Sequence, residues 1–273
     1  EVSTPPPASK YLSYLGNIDD RFVCGSNLLR GRMNARFREW DITPFHLGPV
    51  GPVTLLGVGW RQYGDEANAY TRWLHHRVLS SDVKHSVREA FTPKRVRSLG
   101  FENVINTEWF SLWQLIEEHR SAIPADKAKS VITAVTDYRR VPQRDRWMLV
   151  ELTRLYTTVG IWIQGAHDMD YLDTPDLPWQ RFHIISLRLS ALDTTLANPD
   201  VDCVGTRLRS RIRTWQRGRR APVIGVDNLA AEMNRDFNPP ALPRDEICQL
   251  VDVLAGPLRM DVRIPSDRIN EWK

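Results

Sequence analysis

Short apolar runs alternate with longer stretches of helical periodicity along most of the chain, and this alternation limits the possible fold more than any other feature. The predicted strands are residues 21–25, 53–59, 84–88, 103–106, 130–136, 159–164, 182–185, 201–204 and 222–226. The predicted helices, which repeat apolar residues at three- and four-residue spacing, are residues 67–79, 93–99, 144–156, 187–197, 206–217 and 244–254. Apolar strands that alternate with helices are typical of mostly parallel sheets covered on both faces, so the sequence predicts an α/β fold.

The alternation is interrupted once, at the polar segment 116–127, which contains Pro124. We place a domain boundary there, which gives an N-terminal domain at 10–120, a C-terminal domain at 121–257 and a tail at 258–273 that can return to the first domain. Open α/β sheets bind ligands at the carboxyl ends of their strands. Two such domains facing one another would form a cleft between them.

Composition narrows the function classes. The 273 residues carry a formal net charge of +4, which is too small and too scattered to argue for nucleic-acid binding. No run approaches the roughly 20 apolar residues of a membrane-spanning helix, and the first residues lack the basic start and apolar core of a signal peptide. Cys24, Cys203 and Cys248 lack metal-ligand spacing, so we expect reduced, buried thiols. These observations favour a cytoplasmic protein with neither a membrane span nor a nucleic-acid partner.

The segment at residues 201–211, VDCVGTRLRSR, combines a short apolar run, a Gly-Thr turn and an arginine-rich helix start. A strand that turns directly into a helix leaves backbone N–H groups and the positive end of the helix dipole available to an anion. Gly205 permits the sharp turn, Thr206 is the expected N-cap and Arg207 lies nearest the turn. We predict an anion-binding site there. The alternative is that Arg209 and the later arginines form the solvated face of a basic helix.

Metal and cofactor signals are weak. His75 and His76 are adjacent on the predicted helix 67–79, so both rings cannot face one metal ion. Asp168, Asp170 and Asp173 lack the glycine and the terminal glutamate of a calcium loop. The chain contains no Gly-x-Ser-x-Gly elbow, no P-loop and no Gly-x-Gly-x-x-Gly element. We therefore expect neither a metal nor a cofactor.

Several segments carry a family resemblance. Residues 85–92 read HSVREAFT and residues 99–107 read LGFENVINT. They resemble the HSVRD-x-[YF]-T and LG-x-x-NVINT motifs of the polysaccharide pyruvyl transferase family. Five further segments resemble that family in the same order: GSNLL at 25–29, GVGW at 57–60, WIQG at 162–165, VGTRL at 204–208 and DN at 227–228. The matches extend from about residue 22 to the terminal INEWK, and such collinearity is far more specific than a single motif.

The resemblance implies a GT-B-like arrangement of two Rossmann-like domains whose parallel sheets face a central cleft. The family usually has an additional N-terminal strand and an Asn-Gly-Asp-type turn, so the N-terminal domain of this chain is expected to be shortened. The implied activity is transfer of pyruvate from phosphoenolpyruvate to a sugar hydroxyl, which forms a pyruvate ketal. The implied partners are phosphoenolpyruvate or another anionic donor and a sugar or glycan acceptor, and a homodimer is plausible for this fold.

The resemblance also implies roles for individual residues. Arg88 and Arg207 would hold the phosphate or carboxylate of the donor, and Arg209 would stabilise charge. For Arg88 the alternative is a structural ion pair with Glu89 or Asp82. The residues expected to bind substrate are Gly25, Asn27, Glu108, Trp109, Gly205, Thr206 and Asn228.

The motifs depart from the family pattern at their turns. Arg209 stands where the family has a histidine, and an arginine cannot act as a general acid because it stays protonated. Glu108, Trp109, Phe110 and Ser111 replace the family's Gly-Cys-Pro-Thr. The added positive charge favours a ligand more anionic than phosphoenolpyruvate plus a neutral sugar, and the two aromatic residues indicate a partly filled pocket or a stacking platform. We therefore expect an altered substrate or activity.

Two alternatives remain open at this point. One is a different transferase on the same scaffold, with a nucleotide-linked donor whose base stacks on Trp109 or Phe110. The other is a non-catalytic anion-binding or regulatory protein that keeps the fold and the anion pocket. The loss of the histidine at position 209 is the feature that discriminates between active and inactive versions of the site.

Overall fold

The computed structural model describes residues 20–25, 27–36, 39–62, 64–137, 139–165, 167–173, 177–225 and 240–273. Contacts between residues divide the chain into two compact units. Unit 1 comprises Glu1–Trp113 and Pro265–Lys273, and unit 2 comprises Gln114–Ile264. The division after Trp113 falls just before the polar segment 116–127, part of which forms a short helix, Glu117–Ser121.

The elements follow one another in the alternating order that the sequence predicts. The strands in the described residues are β1 (Phe22–Cys24), β2 (Thr54–Leu56), β3 (His85–Val87), β4 (Val104–Asn106), β5 (Ser130–Thr133), β6 (Thr158–Trp162), β7 (Phe182–Ile185), β8 (Val201–Cys203), β9 (Val223–Gly225) and β10 (Ala241–Pro243). The α-helices there are α1 (Leu47–Val50), α2 (Ala69–Val78), α3 (Thr92–Ser98), α4 (Glu117–Ser121), α5 (Pro142–Leu155), α6 (Asp168–Leu172), α7 (Leu189–Leu196), α8 (Leu208–Gln216), α9 (Leu250–Ala255) and α10 (Ser266–Trp272). Short 3-10 helices span Pro44–His46, Phe110–Leu112, Trp179–Arg181 and Arg244–Gln249.

Unit 1 contains two parallel strand pairs. β1 pairs with β2, and β3 pairs with β4. A parallel bridge between Val58 and Val87 links the end of the second strand to the third. The side chain of Asn68 caps α2 by accepting a hydrogen bond from the Thr71 amide at 2.8 Å, which satisfies one of the free N–H groups of its first turn. Apolar side chains from these strands and helices form one buried cluster.

Unit 2 is built on a four-stranded parallel sheet with strand order β7-β6-β5-β8. Successive residues of β5 point to opposite faces, as a strand requires. Val131 packs with residues of α5 such as Leu149, whereas Ile132 packs with residues of α7 such as Leu192. Helices therefore cover both faces of this sheet, and β9 and β10 add a further parallel pair. The predicted α/β class with parallel sheets is confirmed.

Most predicted elements lie where the periodicity places them, with ends that differ by up to three residues. The predicted helix 206–217 begins at Leu208 instead. The predicted helix 244–254 is a 3-10 helix, Arg244–Gln249, followed by α9. The sequence did not predict β10 or α10, since three residues are too few for a periodicity to register and Pro243 and Pro265 obscure both patterns.

The cysteines correct one expectation. None of the three, all within the described part of the chain, forms a disulfide, and Cys203 is buried. Cys24 and Cys248 are exposed, so the prediction of three buried thiols is wrong for these two. Across the described ranges, no helix is both long enough and apolar enough to cross a membrane.

Candidate functional site

The motif residues of unit 1 gather at the carboxyl ends of its strands. Gly25 directly follows β1, Arg88 directly follows β3, and Glu108 lies two residues beyond β4. Because these strands run parallel, their carboxyl ends lie at one edge, where α/β sheets bind ligands. Gly25 has a φ of 114°, which a glycine adopts readily, and it turns the chain toward Asn27.

Arg88 is held on three sides. Its Nε donates to Glu89 Oε1 at 2.6 Å, and its Nη2 donates to the side-chain oxygen of Asn27. The guanidinium carbon lies 4.6 Å from the ring centre of Trp109, a cation–π contact. Only 5% of Arg88 is exposed. Of the two ion pairs considered from the sequence, the structure has the one with Glu89, and this pair holds the guanidinium in a fixed orientation.

Glu89 is a residue to which the sequence alone assigned no site role. Its Oε2 accepts hydrogen bonds from the Trp60 amide at 3.3 Å and from Thr92 Oγ1 at 2.8 Å, while Oε1 accepts from Arg88. A Cβ on Gly59 would overlap the side chains of Asn27 and Glu89, so only glycine fits beside them. The sequence signal for this arrangement is the GVGW segment at 57–60, whose second glycine permits the close approach.

Glu108 has an unusual backbone conformation. Its φ is 61°, in the left-handed region that favours glycine, and among the described residues it is the non-glycine with such a value. Its amide donates to Asn106 Oδ1 at 3.0 Å. Its carboxylate accepts from Arg268 Nη2 at 2.6 Å, so α10 contributes a residue that the sequence did not indicate. The backbone at position 108 therefore has a conformation that a glycine would adopt more readily than a glutamate.

The two aromatic residues after Glu108 pack within unit 1. Trp109 places its ring against the Arg88 guanidinium. Phe110 packs on Gly57, where a Cβ would lie 2.9 Å from the phenyl ring. Both rings therefore contact residues of unit 1, Gly57 and Arg88, and the predictions of a partly filled pocket and of a stacking platform stay predictions.

In unit 2 the Gly-Thr turn after β8 is locked to the end of β5. The Thr136 amide donates to Thr206 Oγ1 at 2.8 Å, and Thr136 Oγ1 donates to the Thr206 carbonyl at 3.0 Å. A Cβ on Gly205 would overlap the backbone of Ala134, so the turn requires glycine. The N-cap of α8 is Arg207, not Thr206. That expectation was wrong because the Thr206 hydroxyl is used by Thr136.

Arg207 is surrounded by acceptors. Its Nε donates to the Val135 carbonyl at 2.7 Å, and its Nη2 donates both to Asp137 Oδ1 at 2.6 Å and to Asp168 Oδ1. The Oδ2 of Asp168 accepts from the amides of Gln164 and Gly165, at 2.9 and 2.7 Å. The sequence placed Arg207 correctly at the turn, but it did not indicate that two carboxylates would meet there.

The other arginines of this segment have different surroundings. Arg209 lies exposed in the first turn of α8. Arg211 is 1% exposed and donates to the Gly205 carbonyl, so it is part of the core and not of a solvated face. Arg213 and Arg217 pair with Asp193, which fits the basic-face alternative for these two positions. Asn228, the remaining predicted substrate-binding residue, lies outside the described residues.

Within the described ranges, no group of three or more His, Cys, Asp and Glu side chains could hold a metal ion. The structure offers two candidate sites, each within its own unit: an arginine-centred cluster around Arg88 in unit 1 and another around Arg207 in unit 2. Both clusters combine a guanidinium with carboxylates at the carboxyl ends of parallel strands. Comparison of the chain with protein-family models, with curated proteins and with solved structures found no match.

Proposed function

We propose that the protein is a polysaccharide pyruvyl transferase-like enzyme that binds phosphoenolpyruvate, or a related anionic donor, and transfers its pyruvate unit to a sugar hydroxyl. One observation carries the proposal. In each unit an arginine of a motif that resembles the family lies at the carboxyl ends of parallel strands, and a buried carboxylate holds it: Glu89 for Arg88 and Asp168 for Arg207.

The chemistry of the donor suits this arrangement. A guanidinium held in one orientation presents a planar fork of donors that matches a phosphate or carboxylate group. Ketal formation joins C2 of the pyruvate unit to two sugar oxygens, converts its methylene to a methyl group and releases inorganic phosphate. Arg209 contributes positive charge to such a site but no proton, because a guanidinium does not give up its proton near neutral pH.

The architecture we propose is the GT-B-like one, in which the two units are Rossmann-like domains that face a central cleft. The parallel strands of each unit support the Rossmann-like class of that unit. The left-handed φ of Glu108 supports the resemblance independently, since the family pattern has a glycine at that position.

A second candidate is an anion-binding protein without transferase activity. The observation that favours it is Arg209, which stands exposed where the family pattern has its histidine. Both candidates require an anion site, and they differ only in turnover.

The test is a calorimetric titration of the whole protein with phosphoenolpyruvate, repeated on Arg88→Gln and Arg207→Gln. Arg77→Gln is the matched control, because Arg77 is an exposed arginine on α2. We expect binding that either site variant weakens and the control leaves unchanged. Release of inorganic phosphate on addition of glycans would then identify the transferase, and binding without release would identify the second candidate. Absence of binding at millimolar ligand would overturn both.

A further inference from the structure

The two carboxylates that meet Arg207 are held very differently. The Asp168 side chain is 1% exposed, and its second oxygen accepts hydrogen bonds from the amides of Gln164 and Gly165. The Asp137 side chain is 17% exposed and lies just beyond β5. Both reach the same guanidinium nitrogen, Nη2. Asp168 is thus anchored to the backbone on its far side, whereas Asp137 faces solvent.

This difference decides which carboxylate can leave. Moving Asp168 away would strip two backbone N–H groups of their acceptor, and buried donors without acceptors are costly. Asp137 would recover its hydration in solvent, so its pair with Arg207 is the weaker one. The less buried carboxylate, which can rehydrate, is therefore the exchangeable partner of this arginine.

The local charge favours such an exchange. Two carboxylates pair with the single guanidinium of Arg207, so these three groups together carry one negative charge, which opposes an incoming anion. A ligand phosphate or carboxylate presents the same kind of oxygen acceptor as Asp137 does. It can therefore take the position of Asp137 on Nη2 without disturbing Asp168.

We propose that Asp137 is a displaceable carboxylate whose place on Arg207 is taken by the phosphate or carboxylate of an anionic ligand, while Asp168 is the positioning residue that keeps the guanidinium in place. This inference rests on the proposed function and deepens it, because it assigns opposite roles to two aspartates on one arginine.

Opposite roles predict opposite effects of the same chemical change. Asp137→Asn removes the competing charge, and we expect it to tighten anion binding about tenfold, since hydrogen bonds between charged groups are the strong ones. Asp168→Asn turns an amide N–H toward the guanidinium, and we expect it to weaken binding about tenfold because the arginine loses its anchor. The matched control is Asp170→Asn, which removes one negative charge from an exposed position on α6.

The experiment is a calorimetric titration of the whole protein with inorganic phosphate and with phosphoenolpyruvate, at constant ionic strength. Circular dichroism establishes that each variant is folded. If Asp168→Asn does not fold, Gly165→Ala replaces it. A Cβ on Gly165 would lie 3.0 Å from Arg207 Nη2 and 3.1 Å from Asp168 Oδ1, so it displaces at least one of the two groups from its present position, and we expect weaker binding.

The outcomes separate the two proposals. If Asp137→Asn binds the anion more tightly than the wild type and Asp170→Asn does not, the result supports the proposal that the ligand displaces Asp137 from Arg207. Unchanged or weaker binding by Asp137→Asn overturns it and leaves the proposed function standing if phosphoenolpyruvate binds the wild type. An equal gain in Asp170→Asn also overturns it, since the effect would then report net charge.

If phosphate binds Asp137→Asn tightly but phosphoenolpyruvate binds no variant, the proposed function fails and the exchange stands. Binding of neither probe by any variant overturns both.

Discussion

Two histidines of unit 1 are buried as neutral rings. His75 is fully buried and donates from Nδ1 to the Thr71 carbonyl at 2.7 Å. His85 accepts from the Leu55 amide at Nδ1 and donates from Nε2 to the Ser80 carbonyl. Because an amide can only donate, this pairing requires the tautomer with its proton on Nε2. Burial lowers the pKa of both histidines, and the pKa of His75 falls to about 4.

The lowered pKa of His75 makes the stability of unit 1 depend on pH. His75 takes up a proton near pH 6.5 in the unfolded chain but only near pH 4 in the folded chain. Its contribution to the stability of the folded state is therefore complete above pH 6.5 and is lost as the pH falls toward 4. We expect the free energy of unfolding to drop by roughly 2 kcal/mol between pH 7 and pH 5 on account of this residue. Urea denaturation at the two pH values measures it.

The control for that experiment is His76, the exposed neighbour on the same helix. His75→Phe should flatten the pH dependence, and His76→Gln should leave most of it in place, because burial is a larger cause of the lowered pKa of His75 than the charge of His76. An unaltered slope in His75→Phe would show that His75 does not carry the effect.

Glu108 provides a second test at this scale. Its left-handed φ of 61° penalises any side chain with a Cβ, and glycine avoids that penalty. We expect Glu108→Gly to be more stable than Glu108→Ala by about 1 kcal/mol, since both variants lose the Arg268 pair and differ only in the backbone preference. Chemical denaturation of the two variants measures the difference.

Glu118 is the matched position in an ordinary helix, α4. There the order should reverse, with Glu118→Gly less stable than Glu118→Ala by up to about 1 kcal/mol. If alanine were also the more stable residue at position 108, the left-handed backbone would not contribute to stability.

Among the helices and strands, α10 packs against other residues of unit 1. The Trp272 Nε1 donates to the Lys84 carbonyl at 2.7 Å. Its ring makes edge contacts with Phe22 and Trp113, at centroid distances of 6.4 and 5.5 Å. Arg268 of the same helix pairs with Glu108. The helix α10 therefore contacts residues in or next to strands β1 and β3, and it also contacts Glu108, the residue with the left-handed φ.

We expect Trp272→Ala to destabilise unit 1 by roughly 2 kcal/mol, because it removes a large ring and its hydrogen bond. Trp272→Phe keeps the aromatic contacts and loses the hydrogen bond, so its cost should be about 1 kcal/mol. Asn270→Ala, an exposed change on the same helix, is the control. Thermal denaturation orders the three variants. Equal melting temperatures for Trp272→Ala and the control would show that the contacts of Trp272 do not stabilise unit 1.

At the scale of the whole molecule, each unit has a core of its own. In the part of the chain that the structure describes, one apolar cluster lies in unit 1, and two clusters on opposite faces of the four-stranded sheet lie in unit 2. The histidines with a lowered pKa, His75 and His85, both belong to unit 1. Acid should therefore loosen the two units to different extents.

We expect hydrogen exchange to show this difference. When the pH is lowered from 7 to 5, amides of α2 should lose more protection than amides of α5, after correction for the intrinsic exchange rate. The reason is that α2 carries the buried His75, which gains a proton when the helix opens. In His75→Phe the difference should shrink. Equal losses in the two helices of the wild type would contradict the assignment of acid sensitivity to unit 1.

The sequence predicted the strands and helices of the fold more completely than the side-chain contacts around Arg88 and Arg207. It placed Arg88 and Arg207 near strand ends, because Arg88 directly follows an apolar run and Arg207 follows one after a Gly-Thr turn. It missed the role of Asp168, which lies 39 residues before Arg207, and that of Arg268, which lies 160 residues after Glu108. No local spacing relates such pairs, so no periodicity can reveal them.

The sequence by itself determined the alternation of strands and helices, since hydrophobic periodicity is a local property of consecutive residues. The local sequence also predicts the turn that needs glycine at position 205, although only the structure shows that the backbone of Ala134 crowds it. The tertiary structure decided the partners of each arginine. The strand order β7-β6-β5-β8 brings the ends of β5, β6 and β8 together, and with them Asp137, Asp168 and Arg207. Such meetings depend on which strands become neighbours, and strand order is set by the packing of the whole unit and not by any one segment.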